Sequence, residues 1–268
     1  MKELNHLSDI YKNYDTFIVD LWGVVHNGVM LNQKAIEVIE KLTINLKKVI
    51  FLSNAPRPSS EVAKFLLKMK MDKKFLSSIM TSGEAAMHEI NKNKFGKTFF
   101  HLGPIRDSSI FEKVKENKTD LKNCDFILCT GLFDERARDL ECYRGLLKKY
   151  ISKKFVCTNP DLTVHRGNVE EFCAGSIAKI FEEIGGEVSY FGKPYKEIYN
   201  LCFKPGEKVL AIGDNLRTDI KGANRIGVDC IFITDGVHRD EFKNTSELDD
   251  LLKKYKVKAN FFQKSLKW

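Results

Sequence analysis

Four positions set ionisable or hydroxyl side chains directly after short apolar runs. Asp20 follows Phe17-Ile-Val19, Ser53 and Asn54 follow Val49-Ile-Phe-Leu52, Lys193 follows Val188 to Phe191 and Gly192, and Asp214 follows Val209 to Ile212 and Gly213. Such runs read as buried strands, and open α/β sheets bind ligands in the crevice beyond the carboxyl ends of their strands. On one parallel sheet the four would open onto the same edge, bringing together two carboxylates, a hydroxyl and an ammonium. Two carboxylates with a backbone oxygen suit a hard cation such as Mg2+. Lys193 and Ser53 would then face the anion that such a cation holds. Each position is also an ordinary strand terminator, and Asp20 alone reads equally well as a residue that ends a strand and caps a turn.

The elements that must position these residues alternate strand and helix, which predicts βαβ units and a parallel sheet, an α/β fold. Asn32 can cap a helix carrying Ile36, Ile39 and Leu42, and Ala55-Pro-Arg-Pro58 is a stiff connection leading to a helix with Val62, Phe65, Leu66 and Met69 on one side. From about residue 94 the chain makes its own set: strands near 98–102, 126–130 and 155–158, with helical patterns near 109–116, 137–149 and 173–184. That predicts an inserted domain over 85–184 between core segments 1–84 and 185–268, with Val188 to Phe191 resuming the first sheet.

At 268 residues the chain has ample length for two cores. The net charge of +8 raises the question of nucleic acid or membrane surface. Most of the excess is scattered on helices (Lys64, Lys68, Lys70, Lys148, Lys149), and no helix-turn-helix, zinc spacing or aromatic-basic platform accompanies it, so no nucleic-acid partner is expected. The start of the chain lacks the apolar core of a secretory signal, and no run approaches a transmembrane length. Seven cysteines without CxxC spacing read as reduced core residues of a cytoplasmic protein. Gly96-Lys-Thr98 lacks the upstream glycine of a phosphate loop, and Gly175-Ser176 lacks the second glycine of a nucleophile elbow.

Asp20-Leu-Trp-Gly-Val24, Phe51-Leu-Ser-Asn54, Gly192-Lys-Pro194 and Gly213-Asp-Asn-Leu-Arg-Thr-Asp-Ile220, together with Cys157-Thr-Asn-Pro-Asp161 and Ala174-Gly-Ser-Ile-Ala178, resemble the haloacid dehalogenase (HAD) superfamily. The closer likeness is to its class IIA branch, the group of the NagD, pyridoxal and p-nitrophenyl phosphatases. The resemblance implies a Rossmann-like core with a class 2 cap inserted between the second and third motifs. It also implies a Mg2+-dependent hydrolase of a small phosphorylated metabolite, with a frequent homodimer contact on the cap. By position, Asp20 would be the nucleophile that forms an aspartyl-phosphate, and Mg2+ would sit between Asp20, the backbone carbonyl of Trp22 and Asp214. Ser53 and the amide of Asn54 would bind phosphoryl oxygens, and Lys193 would add positive charge and steady Asp20. Asp219, with Asn215 as a further supporting residue, would order the metal's waters or Lys193; alternatively Asp219 only caps a helix.

The sequence departs from that pattern at Trp22, where the family has a second Asp that serves as acid and then base. Indole can do neither, and loss of a positioned acid/base commonly costs on the order of 10²- to 10⁴-fold. His26, in the turn Val25-His-Asn-Gly28, could accept and return a proton near pH 7, or could merely shape its loop. A leaving group of low pKa would need no acid. Two alternatives follow: a phosphometabolite-binding protein with little turnover, or a hydrolase of carbon–halogen or carbon–phosphorus bonds. Asn159 and Asp161 lie where class IIA proteins contact substrate, although Asn-Pro-Asp is also a common turn. Gly236-Val-His-Arg-Asp240 could place His238 or Arg239 at the rim, and reads more simply as a surface loop.

Overall fold

The computed structural model describes residues 1–167 and 169–268. In chain order its strands are β1 (Lys2–Glu3), β2 (Thr16–Val19), β3 (Lys48–Ser53), β4 (Ile79–Thr81), β5 (Phe99–Leu102), β6 (Phe126–Cys129) and β7 (Lys154–Cys157). They continue as β8 (Thr163–Arg166), β9 (Val169–Phe172), β10 (Val188–Tyr190), β11 (Val209–Gly213), β12 (Asp229–Ile233) and β13 (Phe261–Gln263).

Seven of them form one sheet in the order β1-β13-β12-β11-β2-β3-β4, with every neighbouring pair parallel. Strand β2 lies near its centre and is buried at all four positions, which is why the run before Asp20 is unbroken rather than alternating. Phe17 and Val19 face one side of the sheet, packed with Val38 and Leu42 of helix Gln33–Ile44 and Leu66 of helix Ser59–Lys68. Ile18 faces the other, with Leu52, Ile198 and Tyr199. Asn32 does occupy the position before helix Gln33–Ile44, but its side-chain amide donates to the Val24 carbonyl at 3.2 Å and so ties down the loop after Asp20.

A second, all-parallel sheet has the order β10-β7-β6-β5. One face carries Ile127, Phe155 and Cys157 against Tyr143 and Leu147 of helix Leu140–Leu147 and Phe181 of helix Ala174–Glu183. The other packs Phe99, Phe126 and Val156 against Ala86 and Ile90 of helix Ser82–Asn91.

Three sequence expectations need correction. Val188–Tyr190 does not resume the first sheet: β10 is an edge strand of the second, paired with β7, so the change of sheet falls after Tyr190. A short apolar run reports burial and carries no information on which neighbour it will pair with. The antiparallel hairpin β8–β9 had no counterpart in the sequence reading, because its partly exposed strands lack an apolar run. The helical pattern near 109–116 is a 3₁₀ segment, Ile105–Asn117, broken at Phe111 and Val114. The seven cysteines are unpaired and six of them are buried. No helix among the described residues is long and apolar enough to cross a membrane.

Candidate active site

Strands β11, β2 and β3 are consecutive in the first sheet, so Asp20, Ser53 and Asp214 leave it at one edge. The Asp20 N–H still donates to the Ile212 carbonyl at 2.9 Å, extending the ladder by one residue and fixing the backbone at the carboxylate. Ser53 ends β3, and its Oγ accepts from the Ala55 N–H at 3.2 Å, turning the chain away from the sheet. Lys193 reaches the same edge from the second sheet. Its approach depends on Gly192, at φ +114°, where a Cβ would lie 2.5 Å from Asn54 Oδ1. With that space open, Asn54 Oδ1 accepts the Lys193 N–H at 2.7 Å and Asn54 Nδ2 donates to the Lys193 carbonyl at 3.1 Å.

The Lys193 ammonium pairs with Asp20 Oδ1 and, at 2.7 Å, with Asp219 Oδ1. Asp20, Lys193, Asp214 and Asp219 are only 7%, 3%, 6% and 5% exposed, so these charges meet out of water. Carboxylate oxygens of Asp20, Asp214 and Asp219 lie within 4.8 Å of one another. Three carboxyl groups share one ammonium, so ionising all of them without a further cation would leave negative charge in surplus. Burial works against the Lys193 charge, but Asp20, Asp219 and Asp161 more than offset it and hold the ammonium protonated. Burial pushes the Asp20 carboxyl up, Lys193 pulls it down, and the charges of Asp219 and Asp214 push it up again. Burial, with Asp219 adding, pushes Asp214 up to about 8.

This donor set fits a divalent cation, whose charge would offset the surplus. Asp214 is held for such a role: Oδ2 accepts from the Val237 N–H at 2.8 Å, and Gly23 and Gly236 press against the carboxylate so closely that a Cβ on either would overlap Oδ2. The loop Leu21–His26 closes on itself through Gly23 N–H to the His26 carbonyl and His26 N–H to the Leu21 carbonyl, at 2.8 and 3.0 Å. Among the described residues no N–H donates to the Trp22 carbonyl, which leaves it available as a third oxygen.

Asp219 pairs with Lys193, and its Oδ2 accepts the Asn215 N–H at 3.1 Å at the start of a π-helical turn, Leu216–Ile220. The cap proper is Asn215, whose Oδ1 accepts from Arg217 N–H at 2.9 Å. His238 is not on a surface loop: it is 1% exposed, accepts the Leu216 N–H on Nε2 at 3.1 Å and faces Glu241 with Nδ1 at 2.6 Å. It therefore props the backbone that carries Asp214 and Asn215. Arg239 lines the cleft.

His26 sits in surroundings that disfavour the acid/base role expected of it. It is buried against Phe65 and Trp22, its Nδ1 accepts the Gly28 N–H at 3.0 Å, and burial, with Arg166 adding, lowers its pKa to about 4. The ring nitrogen that would take a proton is already committed to shaping the turn.

The edge opens into a cleft of about 1350 Å³ lined from both sheets, by Asp20, Trp22 and Ser53 on one side and Asn159, Asp161 and His165 on the other. Asn159 Oδ1 accepts the Asp161 N–H at 3.1 Å, and Asp161 Oδ1 accepts from Asn215 Nδ2 at 3.2 Å, so the second sheet's loop meets the first sheet's motif directly. Burial pushes Asp161 up to about 6. Gly175 lets this loop lie on helix Ala174–Glu183, since a Cβ there would overlap the Pro160 and Asp161 carbonyls. The sequence reading also missed Arg57, whose Nε donates to the buried Asp107 at 2.6 Å and links the two layers across the cleft.

Residues 17–115 match the haloacid dehalogenase-like hydrolase family and residues 190–266 the related HAD-hydrolase-like family. The chain is similar to 5'-nucleotidase YutF of Bacillus subtilis, at 24% identity over 86% of this chain and 91% of that one. Ribonucleotide monophosphatase NagD of Escherichia coli is 31% identical over 37% of each chain. A haloacid dehalogenase-like hydrolase from Brucella suis 1330 superposes with a TM-score of 0.86 at 27% identity, covering 99% of this chain and 100% of that one. With the sheet order, the four motifs at one sheet edge and these matches together, the chain belongs to the haloacid dehalogenase-like hydrolases, in their class IIA, NagD-like branch.

Proposed function

We propose that the protein is a Mg2+-dependent phosphatase that moves the phosphoryl group of a small phosphorylated metabolite onto Asp20 and then onto water. The observation that carries this reading is the buried contact of Lys193 with both Asp20 and Asp219, beside Asp214. An Asp20 oxygen attacks phosphorus while the bond to the leaving oxygen breaks and its electron pair departs with that oxygen. Water then attacks the same phosphorus, phosphate leaves, and the Asp20 carboxylate is regenerated. Lys193 orients the carboxylate and offsets charge as anion approaches anion, and Ser53 with the Asn54 N–H receives the non-bridging oxygens. Asp20, Asp214 and the Trp22 carbonyl would hold Mg2+, which supplies charge neutralisation at the transferring group.

The names of the relatives, a nucleotidase and a ribonucleotide monophosphatase, support phosphoric monoesters as the substrate class. Within that class the leaving group matters. Trp22 offers no acid, and its indole N–H is bonded to the His165 carbonyl, so the leaving oxygen departs without a positioned proton donor from this loop. Aryl esters among the monoesters, and acyl phosphates as anhydrides with an equally good leaving group, are therefore the favoured substrates. The same residue favours a second reading, a phosphometabolite-binding protein with little turnover.

The test is a phosphate-release screen over acyl, aryl, sugar and nucleoside phosphates, with and without Mg2+. Mg2+-dependent release from acetyl phosphate and p-nitrophenyl phosphate, reduced by at least on the order of 10³-fold in Asp20→Asn, is expected. Release that survives Asp20→Asn would overturn the covalent route. No release from any member, with substrate still bound, would establish the second reading.

A further inference from the structure

The loop after Asp20 does more than offer a carbonyl. It reaches the end of β8 and Gly167 at three points. Trp22 Nε1 donates to the His165 carbonyl at 2.7 Å, the Arg166 guanidinium lies 5.2 Å from the indole centroid, and the Gly167 N–H donates to the Asn27 carbonyl at 3.0 Å. Arg166 is steadied from the opposite strand, its Nε donating to Glu171 at 2.9 Å.

The indole's remaining surroundings belong to its own loop. The His26 ring meets it edge-on at 5.0 Å, and a Cβ on Gly28, at φ +84°, would lie 2.5 Å from Cζ2. The indole lines the cleft, but with the guanidinium over it, Gly28 against its benzo ring and its N–H on a main-chain oxygen, its donor is already engaged by the hairpin.

The hairpin needs such an anchor. Among the described residues β8 and β9 pair only with each other, and their residues are half-buried or exposed, whereas an isolated two-stranded ribbon is marginal in water. Yet Thr163, His165, Arg166, Glu170 and Phe172 form one wall of the cleft. What fixes the wall must come from outside it.

We infer that Trp22 is a positioning residue that latches the β8–β9 hairpin over the cleft, so that the wall facing the substrate is tied to the loop that leaves Asp20. The side chain two residues after the proposed nucleophile thus sets where the wall stands. The inference rests on the phosphatase reading only for its kinetic arm.

The experiment compares the full chain, Trp22→Phe and Arg166→Ala by hydrogen–deuterium exchange and steady-state kinetics. Trp22→Phe keeps an aromatic face for Arg166 and loses the N–H donor. Arg166→Ala removes the hairpin's side of the contact and leaves the residues of the Asp20 loop themselves unchanged. Exchange over 163–172 is expected to rise about fivefold in each, the equivalent of one lost contact of this kind, with exchange in β2 unchanged. In Arg166→Ala the KM for a sugar or nucleoside phosphate, long enough to reach the hairpin, is expected to rise about threefold or more. Hairpin exchange unchanged in both variants overturns the latch, and so does acceleration shared equally by β2. A wild-type chain that releases no phosphate from any substrate removes the phosphatase reading and leaves the exchange result standing.

Discussion

Asn54 grips the peptide of Lys193 from both sides, accepting its N–H at 2.7 Å and donating to its carbonyl at 3.1 Å. The pairing joins the end of β3 to a loop that arrives from the other sheet, and it is buried. Lys193 lies outside the first sheet's ladder, and this clamp ties its backbone to the end of β3, beside Asp20 and Asp219.

Asn54→Ala should expose how much depends on it. Both main-chain groups of residue 193 would be left buried without their partner, at a cost of about 1–3 kcal/mol each. Thermal unfolding should fall accordingly, and phosphate release by on the order of 10²-fold, because a reacting group displaced by an ångström can cost that much. Full release at a lowered Tm would show that Lys193 finds its place without Asn54.

The sequence was legible where a strand and its acid are contiguous. Asp20, Ser53 and Asp214 end buried runs that are neighbours in one sheet, so reading each strand end was enough to bring them together. Lys193 was legible as a site residue and illegible in its route, since Val188–Tyr190 lies at the edge of the second sheet and periodicity does not name a partner. Trp22 and His165 are 143 positions apart, and no local pattern reports such a pair. His26 looked titratable because a sequence shows a histidine in a turn and not the Phe65 and Trp22 rings that bury it. Gly236 stands in a loop of unremarkable composition, and its reason is the Asp214 carboxylate from another strand.

Metal and pH should act on stability together. A carboxyl such as Asp214, raised from 3.8 to about 8 on folding, keeps a proton that the unfolded chain has already released between those values. The folded state then binds more protons than the unfolded one, and stability falls as pH rises through that window. Buried His26 and His101, both lowered to about 4, oppose this in acid, so the clean interval is about pH 6.5 to 8. Over that interval the Tm of chelator-treated protein should decline, and the increase produced by millimolar Mg2+ should grow, because a carboxylate must be ionised to bind it. Asp214→Asn should make the decline shallower, since the raised Asp20 carboxyl still contributes to it, and should abolish the increase. A Mg2+ effect that shrinks toward pH 8 would contradict the assignment of Asp214 as a ligand.

Two glycines should respond oppositely to alanine. At Gly236 a Cβ would overlap the Asp214 carboxylate, so Gly236→Ala must move that side chain. The expected outcome is a loss of about 1–3 kcal/mol and of the Mg2+-dependent Tm increase. Gly145 sits in helix Leu140–Leu147 with nothing among the described residues within 4 Å of its would-be Cβ. Gly145→Ala should stabilise by about 0.5–1 kcal/mol and leave the Mg2+ response intact. Retention of that response in Gly236→Ala would mean that the carboxylate's position is not critical for the ion.

Trp22→Asp separates the two consequences of having an indole at this position. The substitution removes the contact with the His165 carbonyl, which should weaken use of the hairpin wall for every substrate that reaches it. It also sets a carboxyl two residues after Asp20, where it could protonate a leaving oxygen. An alkyl phosphate such as glycerol phosphate needs that proton, whereas p-nitrophenolate leaves well without it. The informative quantity is therefore the ratio of the two rates, in which losses common to both substrates cancel. If protonation limits the natural enzyme, the ratio of alkyl to aryl turnover should rise by about tenfold or more in Trp22→Asp, within the 10²- to 10⁴-fold that a positioned acid commonly supplies. An unchanged ratio would mean that proton transfer is not what restrains alkyl phosphates, and that the cost of Trp22 lies in the geometry of the cleft rather than in the missing acid.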